Sequence, residues 1–280
     1  MLSTSKPASN CFIGTYILFK HQEQCHTGKC AINFQAPRTK SRFRYLSDMT
    51  QPISTLTFFR FSSFKAKFWA FGQMQFAHAS LKKTPGLQFY KLMGSGREIG
   101  FNPLPDWGVY ALLAVWENEA AAEEFFSKAE IYQQYLAKSS QQWTIFLKTR
   151  HAKGLWSGGN PFIPSTDLDE DNPRIAVITR ATIRPSKLLK FWRYVPISQR
   201  PIQQGCEGLI FTKGIGEVPL MQMATFSLWE NMEALKNYAY NSPEHQVAIQ
   251  KTRQLDWYKE EMFVRFQPYK FAGDFYPPKL

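Results

Sequence analysis

The sequence spells one strand-to-helix corner twice, and that repetition limits the fold more than any other feature. Trp116-Glu117-Asn118 stands in LLAVWENEAAAEEFF, and Trp229-Glu230-Asn231 stands in ATFSLWENMEALKNY. Each copy closes an apolar run and opens an Ala/Glu-rich helical pattern. The flanking stretches correspond as well. STLTFFRF (54–61) matches RIAVITRATI (174–183), both with the Thr, Ile, Val and Phe of a buried strand. Helical patterns follow, carrying the pairs Phe68-Trp69 and Phe191-Trp192. In the second of these, Ser186 suits the N-cap and Pro196 ends or bends the helix. GLQFYKLMGSG and GLIFTKGIGEV then enter Gly-x-Gly turns, Gly94/Gly96 and Gly214/Gly216. Hairpin turns that need positive φ account for such glycines. WTIFLKTR (143–150) and EMFVRFQPY (261–269) close the two copies. Between the Gly-x-Gly pairs and the corners the first copy is seven residues longer, in the loop REIGFNPLPDWG (97–108), where a true repeat tolerates it.

Each copy therefore reads β-α-β-β-α-β, the ferredoxin-like unit. Its sheet carries both helices on one face, and the bare apolar face must be covered. The second copy is the simplest cover. The expected fold is α+β: two ferredoxin-like βαββαβ repeats, sheet against sheet, packed as an intrachain dimeric α/β barrel. Trp116 and Trp229 anchor strand ends in this reading, and Asn118 and Asn231 act as N-caps. The repeats span 54–150 and 174–268. A Gly/Pro/Asp-rich linker (151–173) joins them, and 269–280 reads as a tail. Residues 1–48 lack periodicity and read as a disordered or misassigned N-terminal extension, with Met49 as the expected start. Their His21, Cys25, His26 and Cys30 match no zinc-module spacing.

The net charge of +12 is spread without a Lys/Arg block. No nucleic-acid-binding signature accompanies it, and a basic membrane-facing surface fits the charge as well. No stretch approaches the roughly 18 apolar residues of a membrane span. The expected protein is cytoplasmic, resting at most peripherally on the inner membrane, with no nucleic-acid partner.

The usual catalytic devices are missing: no Gly-x-Ser-x-Gly elbow, P-loop or His-Glu-x-x-His. GSGREIG follows a strand but opens no helix, so the dinucleotide-loop reading fails. His78 sits amid Phe76 and Leu81 and reads as a packing residue, while His151 at the linker edge reads as solvated. His245 differs. Ser242 and Pro243 suit a helix start before it, and Ala248, Ile249 and Thr252 follow on one stripe. Such a His can face a pocket, and a neutral imidazole suits a haem iron. Capping and surface roles fit the same pattern.

FWAFGQM (68–74), PGLQFYKLMGSG (85–96), VYALLAVWEN (109–118), ITRATIRP (178–185), GIGEVPLMQMATFSLW (214–229) and HQVAIQKTRQLDWYKEEMFVRF (245–266) occur in order over most of the chain. In these stretches the sequence resembles the spheroidene monooxygenase family of bacterial carotenoid oxygenases. The resemblance implies a monooxygenase that oxygenates acyclic carotenoids at C-2, leaving a keto or hydroxy end group. It implies haem b, dioxygen and electrons from an external donor, such as a ferredoxin-like protein. It makes His245 the axial ligand of the haem iron. Arg253, two turns on, is a candidate partner for a propionate, and a plain surface charge fits it equally. A long apolar substrate needs a slot of aromatics and Met; Trp69, Met74, Phe89, Met93 and Met223 are candidates, with Phe68, Phe71, Phe101, Met221 and Phe226 beside them. Most of these also suit an ordinary core, which is the better reading for any single one. Phe101, Leu104 and Trp107, beside Arg97, make the 97–108 loop a candidate for membrane insertion. Haem breakdown, another oxygenation on the same scaffold, and a non-enzymatic haem or hydrophobic-ligand binder are the competing readings.

Overall fold

The computed structural model describes residues 51–97, 104–194, 206–241 and 256–274. The N-terminal His/Cys group lies outside these residues. The first half contains β1 (Ile53–Arg60), α1 (Phe64–Phe76), the short α2 (His78–Leu81), β2 (Leu87–Gly96), β3 (Pro105–Trp116), α3 (Glu119–Lys128), α4 (Glu130–Lys138) and β4 (Gln141–Gly154). The second contains β5 (Ile175–Ile183), α5 (Leu188–Tyr194), β6 (Leu209–Val218), β7 (Gln222–Trp229), α6 (Met232–Asn241) and β8 (Tyr258–Gly273). β4 and β8 run on into the stretches that periodicity assigns to linker and tail. They pair with each other over that length, from Trp143 opposite Gly273 to Gly154 opposite Met262.

The strands form one closed barrel in the order β1-β3-β2-β6-β7-β5-β8-β4. Sequence patterning points to two sheets stacked face to face. The structure closes a barrel in which the inner faces of the two halves meet, and the sheets also join at their edges. An open four-stranded sheet leaves two rows of unpaired backbone N–H and C=O groups, and edge pairing satisfies both rows. The β4–β8 join is long. The β2–β6 join is short, with Gly94 opposite Gly216 and Ser95 opposite Ile215.

Alternation sends one face of every strand into the barrel. Leu56, Phe58, Leu113, Ile145, Ile178, Phe226 and Val264 are buried there. Phe211 meets Phe58 edge-on at 5.4 Å and Trp143 edge-on at 5.2 Å. The stretch between the halves takes part too: Trp156 and Phe162 are buried in the same cluster.

The repeated corner is built alike in both halves. Trp116 stands opposite Ile53 and Leu87, as Trp229 stands opposite Ile175 and Leu209. The Trp116 indole donates to Thr55 Oγ1 at 2.9 Å, and that of Trp229 to Ser227 Oγ at 2.9 Å. Asn118 accepts from the Ala121 N–H and Asn231 from the Ala234 N–H, each at 2.9 Å, so both are N-caps.

Two local expectations fail. Pro185–Lys187 form a 3-10 turn with Arg184 at its cap, so Ser186 lies inside the turn and caps nothing. Pro185 fixes φ and starts the turn one residue early. Gly94, Gly96, Gly214 and Gly216 sit within β2 and β6, and none has positive φ. For β2 and β6 positive φ falls instead at the preceding Gly86 and Gly208, where each strand begins beneath its corner.

Candidate functional site

The barrel interior is filled by side chains, so ligand space belongs on its outer faces, between sheet and helices. The two outer faces differ. In the first half, Phe59, Leu92, Leu112, Tyr110 and Phe146 form one continuous buried cluster with Tyr132 and Tyr135 of α4. Burial pushes the Tyr132 phenol up to about 12, partly offset by a hydrogen bond with Thr144, and the Tyr110 phenol up to about 12, with the nearby Asp106 charge adding to the rise.

The second half has the same strand pairing and a lower surface. Gly214 stands opposite Thr225, where the first half sets Leu92 opposite Leu112. Ala181 stands opposite Met223, where the first half has Phe59 opposite Tyr110. Thr212 stands opposite Ser227, where the first half has Tyr90 opposite Ala114. Among the described residues, the apolar ones here fall into two separate banks. One contains Ile175, Val177, Trp229, Leu235 and Phe263. The other contains Ile183, Phe191, Met223 and Trp257. Gly214, Thr225, Thr212 and Ala181 form a low floor between the banks.

A cavity of about 100 Å³ adjoins this floor at the β2–β6 seam, with Gly94, Pro105, Trp192, Gly214, Leu220 and Met223 among its lining residues. Gly94 is extended, and a Cβ built on it would meet nothing within 4 Å. No turn or close approach requires glycine at this position; the missing side chain leaves the cavity open.

An ionic cluster sits at the barrel end beside Trp156. Arg180 is only 3% exposed and pairs with Glu260 and, at 3.5 Å, with Glu217. Lys91 pairs with Glu217 at 2.5 Å, and the Trp156 indole donates to Glu217 at 2.7 Å. Glu260 also accepts from the N–H groups of Ser157 (3.1 Å) and Gly158 (2.7 Å). Burial alone would raise the Glu260 carboxyl, but these donors and Arg180 outweigh it and hold the group below its usual value. Two cations and two carboxylates balance, so the cluster reads as an internal brace. Sequence reasoning missed it. The signal is present: Arg180 interrupts an otherwise apolar strand, and a buried arginine requires a partner.

The candidate pocket residues fall in three places. Trp69 and Met74 pack against the first-half cluster. Phe89 and Met93 belong to the barrel interior. Met223 lies in the second bank and lines the seam cavity. Phe226 is interior as well, whereas Phe68 and Phe71 are exposed. His78 Nδ1 lies 3.0 Å from the Tyr90 hydroxyl, a packing role. His151 is half-buried, opposite Arg265 in the barrel wall. Burial lowers its pKa, with Arg265 and Lys153 adding to the effect. His245, Arg253, Pro196 and Phe101 lie outside the described residues. Among the described residues, no cluster of His, Cys, Asp and Glu could hold a bare metal ion.

Comparison with known proteins gives a consistent result. The chain is 35% identical to a spheroidene monooxygenase of Cereibacter sphaeroides over 76% of its own length and 65% of that protein's. It thus spans slightly less than two thirds of that relative. It is 34% identical to the Rhodobacter capsulatus protein of the same name, over 77% of the chain and 90% of the relative. For the Rubrivivax gelatinosus protein the values are 33%, 74% and 79%. No family model matches. Among solved structures, two aldoxime dehydratases superpose with TM-scores of 0.53 and 0.55. Identity is 12% and 9%, over 79% and 81% of this chain and 82% and 83% of theirs, so they are alike in fold only.

Proposed function

The chain belongs to the spheroidene monooxygenase family, and from that premise we propose that it oxygenates acyclic carotenoids at C-2, leaving a keto or hydroxy end group. In this reading the two halves are ferredoxin-like repeats that have diverged: the first keeps a filled helix–sheet core and the second is shaped to receive a prosthetic group. The observation that carries it is the low floor of Gly214, Thr225, Thr212 and Ala181 between two apolar banks. Haem b is the group proposed, and when bound it supplies dioxygen activation with electrons from an external donor such as a ferredoxin-like protein. His245 would hold its iron and Arg253 would pair with a propionate. The chain's own work is to orient and to exclude water. The banks keep the floor dry, and the adjoining seam cavity accepts a slender apolar chain end through the space that Gly94 leaves. Peripheral contact with the inner membrane, where such a substrate dissolves, completes the proposal.

Hemin titration of the full chain, followed by its absorption spectrum, tests this. Wild type should give a Soret band that His245→Ala shifts or abolishes and His78→Ala keeps. Gly214→Leu should weaken hemin binding about tenfold or more by raising the floor. Absence of a Soret band in folded wild type would sink the haem reading.

A further inference from the structure

The first half exposes an unusual set of large apolar side chains. On α1, Phe64 is 84% and Phe68 71% exposed, and Phe71 and Phe76 are exposed too. Phe64, Phe68 and Phe71 recur at helical spacing and form one stripe. Trp107, itself exposed, meets Phe71 edge-on at 5.4 Å. The opposite side of the helix carries the packing: Ala70 is buried, and Trp69 meets Tyr135 edge-on at 5.0 Å. The outward phenyl rings therefore add nothing to the core.

The second half continues this belt across the β2–β6 seam. Leu189 on α5 is 91% exposed, and Val218 and Leu220 are exposed at the tip of the β6–β7 hairpin. Leu220 has φ +66°, a left-handed backbone that glycine or asparagine adopts with far less strain. The turn gains nothing from leucine, so its apolar side chain is what the position supplies. Val218, Leu220 and Pro105 also line the seam cavity, which opens within the belt.

The charge pattern identifies what meets this face. From Gln51 to Arg97 the sequence has no Asp or Glu, and Lys65, Lys82 and Lys83 are exposed around α1. From Arg174 to Tyr194 there is again no acidic residue, and Lys190 and Arg193 are exposed on α5. Carboxylates lie elsewhere, for instance Glu119, Glu123, Glu124 and Glu130 on α3 and α4. Two carboxylates border the belt, Asp106 beside Trp107 and Glu217 beside Val218, and each is paired with a lysine, Lys213 at 3.2 Å and Lys91 at 2.5 Å. A face with protruding phenyl and leucyl groups among mainly cationic side chains is complementary to an anionic bilayer: rings enter the headgroup region and ammonium groups meet phosphates.

We infer that the exposed α1 stripe, Trp107 and the Leu189–Leu220 rim form one docking surface for anionic lipid bilayers, with the seam cavity facing the membrane. What the surface delivers, a carotenoid end, rests on the proposed function; the docking itself does not.

Vesicle flotation of the full chain tests it, using phosphatidylcholine vesicles with and without phosphatidylglycerol. Wild type should float strongly only with phosphatidylglycerol. Phe64→Ser/Phe68→Ser should lower binding about tenfold or more. Leu220→Gly should also lower it while the melting temperature holds or rises, a pairing that damage to the fold cannot produce. Leu155→Ser/Ile163→Ser, which removes exposed apolar groups outside the belt, should change nothing. Undiminished flotation of the phenylalanine variant, equal binding to neutral vesicles, or a wild-type dimer that Phe68→Ser dissociates would each overturn the inference. Turnover of detergent-dispersed carotenoid, measured in parallel, separates the two readings: flotation without turnover leaves docking standing and removes the oxygenase.

Discussion

Gly94 and Gly216 stand directly opposite each other where β2 and β6 join the two halves. They occupy the same place in their halves, so the seam pairs each half's own strand with its counterpart. Their surroundings differ. A Cβ on Gly94 would project into open space, whereas one on Gly216 would press on the Gln222 carbonyl. Gly94→Phe should therefore fold normally and block the seam cavity. We expect carotenoid KM to rise about tenfold or more with little change in melting temperature, and Gly94→Ala to behave as wild type. Gly216→Leu should instead lower stability. Unchanged KM in Gly94→Phe would remove the cavity from the substrate path.

Gly86 and Gly208 are required for backbone reasons. Both have positive φ, and a methyl on either would collide with Ala121 or Ala234 on the following helix. The glycine carbonyls also accept the N–H of Glu117 and of Glu230 at 2.9 Å, tying strand start to helix start. Gly86→Ala and Gly208→Ala should each cost about 2–4 kcal/mol in denaturant unfolding, more than a helix-surface substitution would.

Removing the caps should cost less. Asn118→Ala and Asn231→Ala each strip one helix N-terminus of its side-chain acceptor. About 1 kcal/mol apiece is expected, adding in the double variant because the corners share no partner.

The Arg180–Glu260 brace predicts an acid limb in stability. Because the folded-state pKa of Glu260 lies below its ordinary value of 4.5, its contribution is complete above that value. It is lost as pH falls through the depressed folded value. Unfolding free energy should thus be flat near neutrality and drop below about pH 4.5. Glu260→Gln should flatten that limb and be less stable at pH 7, since Arg180 stays buried with one carboxylate fewer. An acid limb of unchanged slope in the variant would assign it to other carboxylates.

How much of this was legible in the sequence depends on the range of the interaction. The WEN corners, their asparagine caps and the alternating strands were readable because a few neighbouring residues specify them. Edge-to-edge closure was not, because hydrophobic alternation marks which face is buried and says nothing of which edges meet. The Gly-x-Gly pairs misled for a related reason: glycine signals a backbone that tolerates no side chain, and a strand at a crowded seam or open cavity uses it as readily as a turn. Phe68 and Phe71 read as pocket lining because an apolar residue carries no mark of whether it faces core or surroundings; Trp69, between them, packs inward. The low floor of the second half was visible only after the strand pairing set Leu92 beside Gly214 as equivalents.

The long β4–β8 join also orders events in time. β4 is synthesised well before β8, which supplies its partner along nearly its whole length. Until β8 emerges, the first half presents a fourteen-residue strand with one side unpaired, a template for any extended chain nearby. Closure depends on contacts between residues far apart in sequence, which slows folding. Yield in cells should therefore depend on how quickly translation delivers the final strand, and on chaperones that shield β4 until then.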